Sequence, residues 1–99
     1  MTTSGVHMFR KKPITIAAVQ WTGDNVAELV EFTRLKFETI NPLDRAEKPD
    51  VTAQVYDELH STWVGVKTGQ WVLRGVRGEF YPCDADVLAE TYDEVASDA

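Results

Sequence analysis

Ninety-nine residues make one domain and not two. With 43% hydrophobic and 26% charged residues, the chain has the composition of an ordinary globule. Ten Lys and Arg against sixteen Asp and Glu leave a net charge of −6, which excludes a generally basic nucleic-acid binder. A single cysteine excludes a disulfide framework and a cysteine-based zinc site. No apolar run approaches the roughly 20 residues of a membrane-spanning helix, and the N-terminus lacks the pattern of a secretory signal. These features predict a soluble, cytoplasmic domain.

Residues 1–8 are small and polar with no period, the pattern of a disordered leader, and Met8 reads as a second start or as the end of an added leader. Arg10, Lys11 and Lys12 form a basic lead-in, and Pro13 favours extended chain before it. Residues 14–22 are rich in β-branched side chains. They are apolar on both alternating sets, Ile14, Ile16 and Ala18 against Ala17, Val19 and Trp21, as an interior strand requires. Thr22, Gly23 and Asp24 break that strand. Asn25 with Glu28 three residues on has capping-box spacing, and Val26, Leu29, Val30 and Phe37 form one stripe, so a helix is predicted over 25–36. Residues 41–50 carry two prolines and five charges and predict a polar connection.

The second half predicts strands at 51–56, 62–67, 70–75 and 79–83, with turns at 58–61, 68–69 and 75–78. A four-residue loop at 58–61 sets Val55 opposite Val64 and Ala53 opposite Val66. A two-residue turn at 68–69 sets Val66 opposite Trp71 and Val64 opposite Leu73. A four-residue loop at 75–78 sets Leu73 near Phe80 and Arg74 beside Glu79, and a bulge at Gly78 would move that pairing by one. All three registers gather Ala53, Val55, Val64, Val66, Trp71, Leu73 and Phe80 on one core face. Asp84 can cap a last helix over 84–95, lined by Val87, Leu88, Thr91, Tyr92 and Val95. Its acids Asp84, Asp86, Glu90, Asp93, Glu94 and Asp98 meet no basic residue after Arg77. The predicted order is β-α-β-β-β-β-α, a small α+β domain over residues 9–96 with a largely antiparallel sheet and two helices.

Two blocks of sequence resemble a family of small phage and prophage proteins. One is Phe9-Arg10-Lys11-Lys12-Pro13-Ile14-Thr15-Ile16 followed by Ala18-Val19-Gln20-Trp21-Thr22-Gly23. The other runs Gly69-Gln70-Trp71-Val72-Leu73-Arg74-Gly75-Val76-Arg77-Gly78-Glu79-Phe80-Tyr81-Pro82-Cys83, with Asp86 and Thr91-Tyr92 behind it. Together they span about half of the chain. The family opens at the position of Met8, so residues 1–7 read as an extension, and its shorter middle makes residues 41–62 a departure. The resemblance implies a bacteriophage or prophage origin and a location in the host cytoplasm or the virion. It implies no activity.

The chemistry-bearing residues favour structural roles. Cys83 as a nucleophile needs a base, yet the two histidines are His7 in the leader and His60 in a loop. Asp84, Asp86 and Glu90 offer hard oxygens to a divalent cation but lack EF-hand spacing, and acids in a first helical turn already answer to capping and the dipole. Glycines 65, 69, 75 and 78 form no phosphate loop, because no Gly-Lys-Ser/Thr follows them. The basic run 10–12 touches a phosphate backbone only against the net charge, and the acidic last helix reads as a solvated face before it reads as a nucleic-acid mimic. No metal site, no cofactor and no enzymatic activity is expected.

The outer face of the sheet is different. The predicted registers align Tyr56, Trp63, Arg74 and Glu79 in one row, with Gln54, Gly65, Val72 and Tyr81 in the next. Trp, Tyr and Arg are the types enriched where binding energy concentrates. The alternative is that strand 14–22 or helix 84–95 covers this face as a second core layer. The resulting expectation is a non-enzymatic protein–protein interaction module that forms a homodimer or engages a host or phage protein, with Tyr56, Trp63, Arg74, Glu79 and Tyr81 as binding residues. The runner-up is a small-ligand or nucleotide binder that uses Trp63, Arg74 and Tyr81 for stacking and anion reading. A catalytic role for Cys83 or the acids stands third. Membrane partners are not expected, and nucleic acid is disfavoured.

Overall fold

The computed structural model describes residues 5–45 and 47–96. Six strands and two helices build an α+β domain whose strands form two three-stranded antiparallel sheets. In chain order these are β1 (Ala17–Gln20), α1 (Val26–Thr33), β2 (Phe37–Thr39), β3 (Val51–Asp57), β4 (Thr62–Lys67), β5 (Trp71–Arg74), β6 (Phe80–Cys83) and α2 (Ala85–Thr91). One sheet runs β2-β3-β4 and the other β1-β5-β6. A short 3-10 turn, Pro42–Asp44, sits in the polar connection, where Asn41 Oδ1 accepts the Leu43 N–H at 2.9 Å.

The β3–β4 hairpin pairs Val55 with Val64 and Ala53 with Val66, as the alternation predicts, with a bulge between Val51 and Ala53. The strand then leaves its sheet, and this corrects the expected hairpin at 68–69. Gln70 N–H bonds Lys67 C=O at 3.0 Å across a four-residue turn, with Gly69 at φ +100° in its third position. Positive φ at that position alone is type II geometry, whose twist splays adjoining strands rather than pairing them. Gly69 N–H instead bonds Trp21 C=O at 2.7 Å and Trp21 N–H bonds Gln70 C=O at 2.9 Å, which steers β5 to β1. Val66 therefore does not face Trp71, nor Val64 Leu73.

The last hairpin is displaced by one residue from its predicted register. Leu73 pairs with Tyr81 and Arg74 with Phe80. Gly75 N–H bonds Glu79 C=O at 2.7 Å, leaving a three-residue loop over 76–78 with Gly78 at φ +84°. A left-handed third residue is the usual way such a loop absorbs its extra length.

Helix α1 is shorter than the apolar stripe suggests. Arg34 and Leu35 both adopt left-handed backbone, φ 57° and 72°, and Leu35 N–H bonds Val30 C=O at 2.9 Å to close the helix. Phe37 is consequently not the last position of the helical stripe but the first residue of β2, paired with Val55. Asn25 precedes the helix without capping it through its side chain. Its Oδ1 accepts the Thr22 N–H at 2.9 Å, while its Nδ2 donates to Gln20 C=O and Glu28 Oε1, both at 2.8 Å. The predicted capping box is thus a brace between the end of β1 and the first turn. Leu35→Gly is expected to raise stability by about 0.5–1 kcal/mol, because an exposed leucine gives up a left-handed conformation that glycine adopts freely. Urea denaturation checks this, and a destabilised variant would contradict it.

The core lies between the two sheets and α1. Trp21, Leu29, Phe37, Ala53, Val55, Val66, Val72 and Phe80 form its buried cluster, with Val19, Val30, Phe32 and Val64 packed against it. Trp21 meets Phe37 edge-on at 5.1 Å, and Phe32 meets Phe80 at 5.5 Å. Of the predicted core face, Trp71 is only half-buried, and Leu73 is buried on the opposite side of its sheet from Val72. Val72, assigned by the predicted registers to the outer face, is fully buried in the core. Strand β5 sits centrally between β1 and β6, and it buries Val72 on one face of the sheet and Leu73 on the other.

Of the predicted leader, residues 1–4 lie outside the described residues, and residues 5–8 are exposed without strand or helix. Lys11 marks where this segment meets the body. Its ammonium donates to Tyr92 Oη at 2.6 Å and stands 4.4 Å from the centre of the Tyr92 ring. Helix α2 ends at Thr91, short of the predicted 95, and Leu88 and Tyr92 are its half-buried contacts. Asp84 precedes the helix without a side-chain cap. No helix among the described residues is long and apolar enough to cross a membrane.

Candidate functional site

The β3–β4 register pairs Tyr56 directly with Trp63 on the outer face of the β2-β3-β4 sheet. Their rings meet edge-on, with centroids 5.4 Å apart and planes inclined by 65°. That geometry sets the positive edge of one ring on the negative face of the other and holds both side chains in place. Trp63 is 42% exposed. Gln54 and Gly65 form the next pair of the same face, and Gln54 Nε2 donates to Glu38 on β2. A Cβ on Gly65 would approach Val51 Cγ1 to 2.7 Å, so Val51 lies across the bare backbone of that glycine. The result is a low apolar surface of Val51, Tyr56, Trp63 and Gly65. Lys67 stands at one end, ion-paired to Asp50 at 3.5 Å.

The remaining predicted binding residues are not part of this surface. The turn at 67–70 carries β5 and β6 into the other sheet, so the single row of Tyr56, Trp63, Arg74 and Glu79 is divided between two sheets. Arg74 faces Phe80 rather than Glu79, and its guanidinium lies 5.0 Å from the Phe32 ring and 5.7 Å from Phe80. It forms one wall of an open cleft of about 560 Å³, lined also by Val19, Glu28, Glu31 and Phe32. Glu79 turns into its own loop, where Oε1 accepts the Arg77 N–H at 3.0 Å. The register shift at Gly78 thus separates the expected Arg74–Glu79 pair.

Tyr81 lies on the far side of the β1-β5-β6 sheet, beside Leu73. Burial first, then its neighbours Tyr92 and Glu79, raise its phenol above the usual value. The stacking set of the runner-up reading, Trp63, Arg74 and Tyr81, therefore occupies three separate surfaces.

Cys83 is half-buried at the end of β6, and its thiol donates weakly to Asp84 C=O at 3.5 Å. Burial, then the carboxylates of Asp84 and Asp86, push its pKa up, which keeps it a thiol at neutral pH. His60 is elsewhere, with Nδ1 2.6 Å from Asp57 Oδ2 in the β3–β4 turn. That hydrogen bond is the main reason Asp57 stays below the ordinary carboxylate value. Asp57 Oδ1 also accepts the Leu59 N–H, so the pair closes the turn. Asp84 accepts from Gln70 Nε2 at 2.8 Å, and Asp86 accepts its neighbour's Val87 N–H at 2.9 Å. No group of three or more His, Cys, Asp or Glu among the described residues converges as a metal site would require.

What the sequence missed is the strand edge beside Trp63. Among the described residues, β4 has β3 on one side and no strand on the other. The sequence carries no signal for it, because the turn at Gly69 that leads β5 away is set by the backbone bonds to Trp21. The chain matches no protein-family model, no curated protein and no solved structure.

Proposed function

We propose that this protein is a non-enzymatic accessory protein of phage or prophage origin that works as a protein–protein interaction module and associates with itself. The contact is the margin of the β2-β3-β4 sheet along β4, where the outer face carries Trp63. The observation that carries this reading is the edge-on Tyr56–Trp63 pair, partly solvent-exposed and set beside a glycine that keeps the surface low. Two rigid aromatics contribute large contact area at little entropic cost. A surface that is its own complement closes in a two-fold dimer. The phage origin rests on the resemblance of residues 9–23 and 69–83, and with it the host cytoplasm or the virion as location.

Trp63→Asp tests the contact. The side chain lies outside the core, so the variant should stay folded, losing about 0.5–1.5 kcal/mol with the Tyr56 contact. A carboxylate at the centre of an apolar contact has no partner there, so light scattering should report a folded monomer at concentrations where the wild type is paired. A variant that associates as strongly as the wild type would remove Trp63 from the interface.

A further inference from the structure

The edge of β4 says how two copies meet. In β3, Tyr56 N–H bonds Lys36 C=O at 2.8 Å and Thr52 C=O accepts the Ile40 N–H at 2.9 Å, so the even residues direct their backbone groups toward β2. Ala53, Val55 and Asp57 therefore direct theirs toward Val66, Val64 and Thr62 of β4. The alternation leaves the N–H and C=O of Trp63, Gly65 and Lys67 pointing away from the sheet.

Lys67 is already closed off. Its N–H donates to Gln70 Oε1 at 2.8 Å, and its C=O accepts the Gln70 N–H at 3.0 Å. At the other end, Ser61 at φ 51° turns the chain out of the strand. The open edge is thus two residues long, Trp63 and Gly65; among the described residues no backbone group of another element pairs with it, and the Thr62 hydroxyl donates weakly to the Trp63 C=O at 3.4 Å. A short edge blocked at both ends resists indiscriminate pairing.

From this geometry we infer that two copies of the chain join β4 to β4, antiparallel, about a two-fold axis at Val64. The inference rests on the self-association reading above and specifies its architecture. In this register, Trp63 N–H meets Gly65 C=O of the second copy, and Gly65 N–H meets Trp63 C=O of the second copy. The axis repeats both bonds, so every open group of the edge is satisfied. Moving the axis to Gly65 would call on Lys67, which Gln70 occupies. Moving it to Trp63 would call on Ser61, which has left the strand. Only the axis at Val64 uses the whole open edge.

The side chains agree with the backbone. Residues directly opposite in an antiparallel pair share a face, so the Trp63 ring of each copy meets the Val51 side chain that covers Gly65 of the other. The product is a six-stranded sheet with the two Tyr56–Trp63 pairs side by side.

Amide hydrogen exchange of the wild-type protein, followed by NMR at a dilute and a concentrated condition, tests this. On association, the Trp63 and Gly65 amides should slow at least about tenfold, because each gains a hydrogen-bond acceptor. The Tyr56 and Val64 amides, already bonded within the sheet, should change much less. If the protein associates while the Trp63 and Gly65 amides exchange equally at both concentrations, the edge-to-edge architecture is wrong and self-association by another contact stands. If it does not associate, both readings fail.

Discussion

Trp21→Ala is expected to cost about 3–5 kcal/mol, a large part of the stability of a small domain. The indole is 2% exposed. It packs edge-on against Phe37, and its Nε1 donates to Thr52 Oγ1 at 2.9 Å. Thr52 Oγ1 is in turn 2.7 Å from Thr68 Oγ1. Trp21 thus follows β1 in one sheet while its side chain is buried against the other, and its backbone anchors the turn that separates β4 from β5. Truncation leaves a cavity at the junction of both sheets and deprives Thr52 of a donor. Denaturant unfolding measures the loss, and a change below about 1 kcal/mol, the usual range of a surface substitution, would show that the junction lies elsewhere.

Phe80→Ala should cost a similar amount, about 3–5 kcal/mol. Phe80 is 4% exposed, meets Phe32 of α1 edge-on, and has the Arg74 guanidinium against its ring. Its loss removes the floor under Arg74 as well as the contact that holds α1 to the β1-β5-β6 sheet. Trp71, by contrast, is half-buried, and alanine there should be tolerated better than at Phe80. The same unfolding series decides the comparison. Equal losses at positions 71 and 80 would restore Trp71 to the core.

The residues that were legible in the sequence are those whose neighbours are local. Ala53, Val55, Val64 and Val66 alternate about one turn, so their register and their burial both follow from period-two patterning. The α+β class follows from the same alternation joined to the helical spacing of Leu29 and Val30. The partner of β5 did not follow, because Thr68-Gly69 has the sequence of a hairpin turn while the backbone between Lys67 and Gln70 is type II. Twist, not composition, decides between the two, and twist is set by the competing bonds from Trp21. Phe37 misled for a similar reason. Its spacing continues the helical stripe, and nothing in Arg34-Leu35 announces two left-handed residues without a glycine.

The candidate site shows the same division. Tyr56 beside Trp63 depends on one local hairpin and was read correctly. Arg74, Glu79 and Tyr81 were added to the row through two further turns, and an error of one residue in a strand reverses the face of every side chain on it. Val72 was lost to the core for that reason, and the apolar patch became smaller and better defined. What remains is a single aromatic pair next to an open strand edge.

The mass of the wild-type protein in solution tests that contact most directly. Sedimentation equilibrium across a dilution series should return twice the chain mass of 11.1 kDa at tens of micromolar, falling toward the chain mass as the protein is diluted. A mass of 11.1 kDa throughout the series would contradict self-association and with it the assignment of the Trp63 face to a second copy.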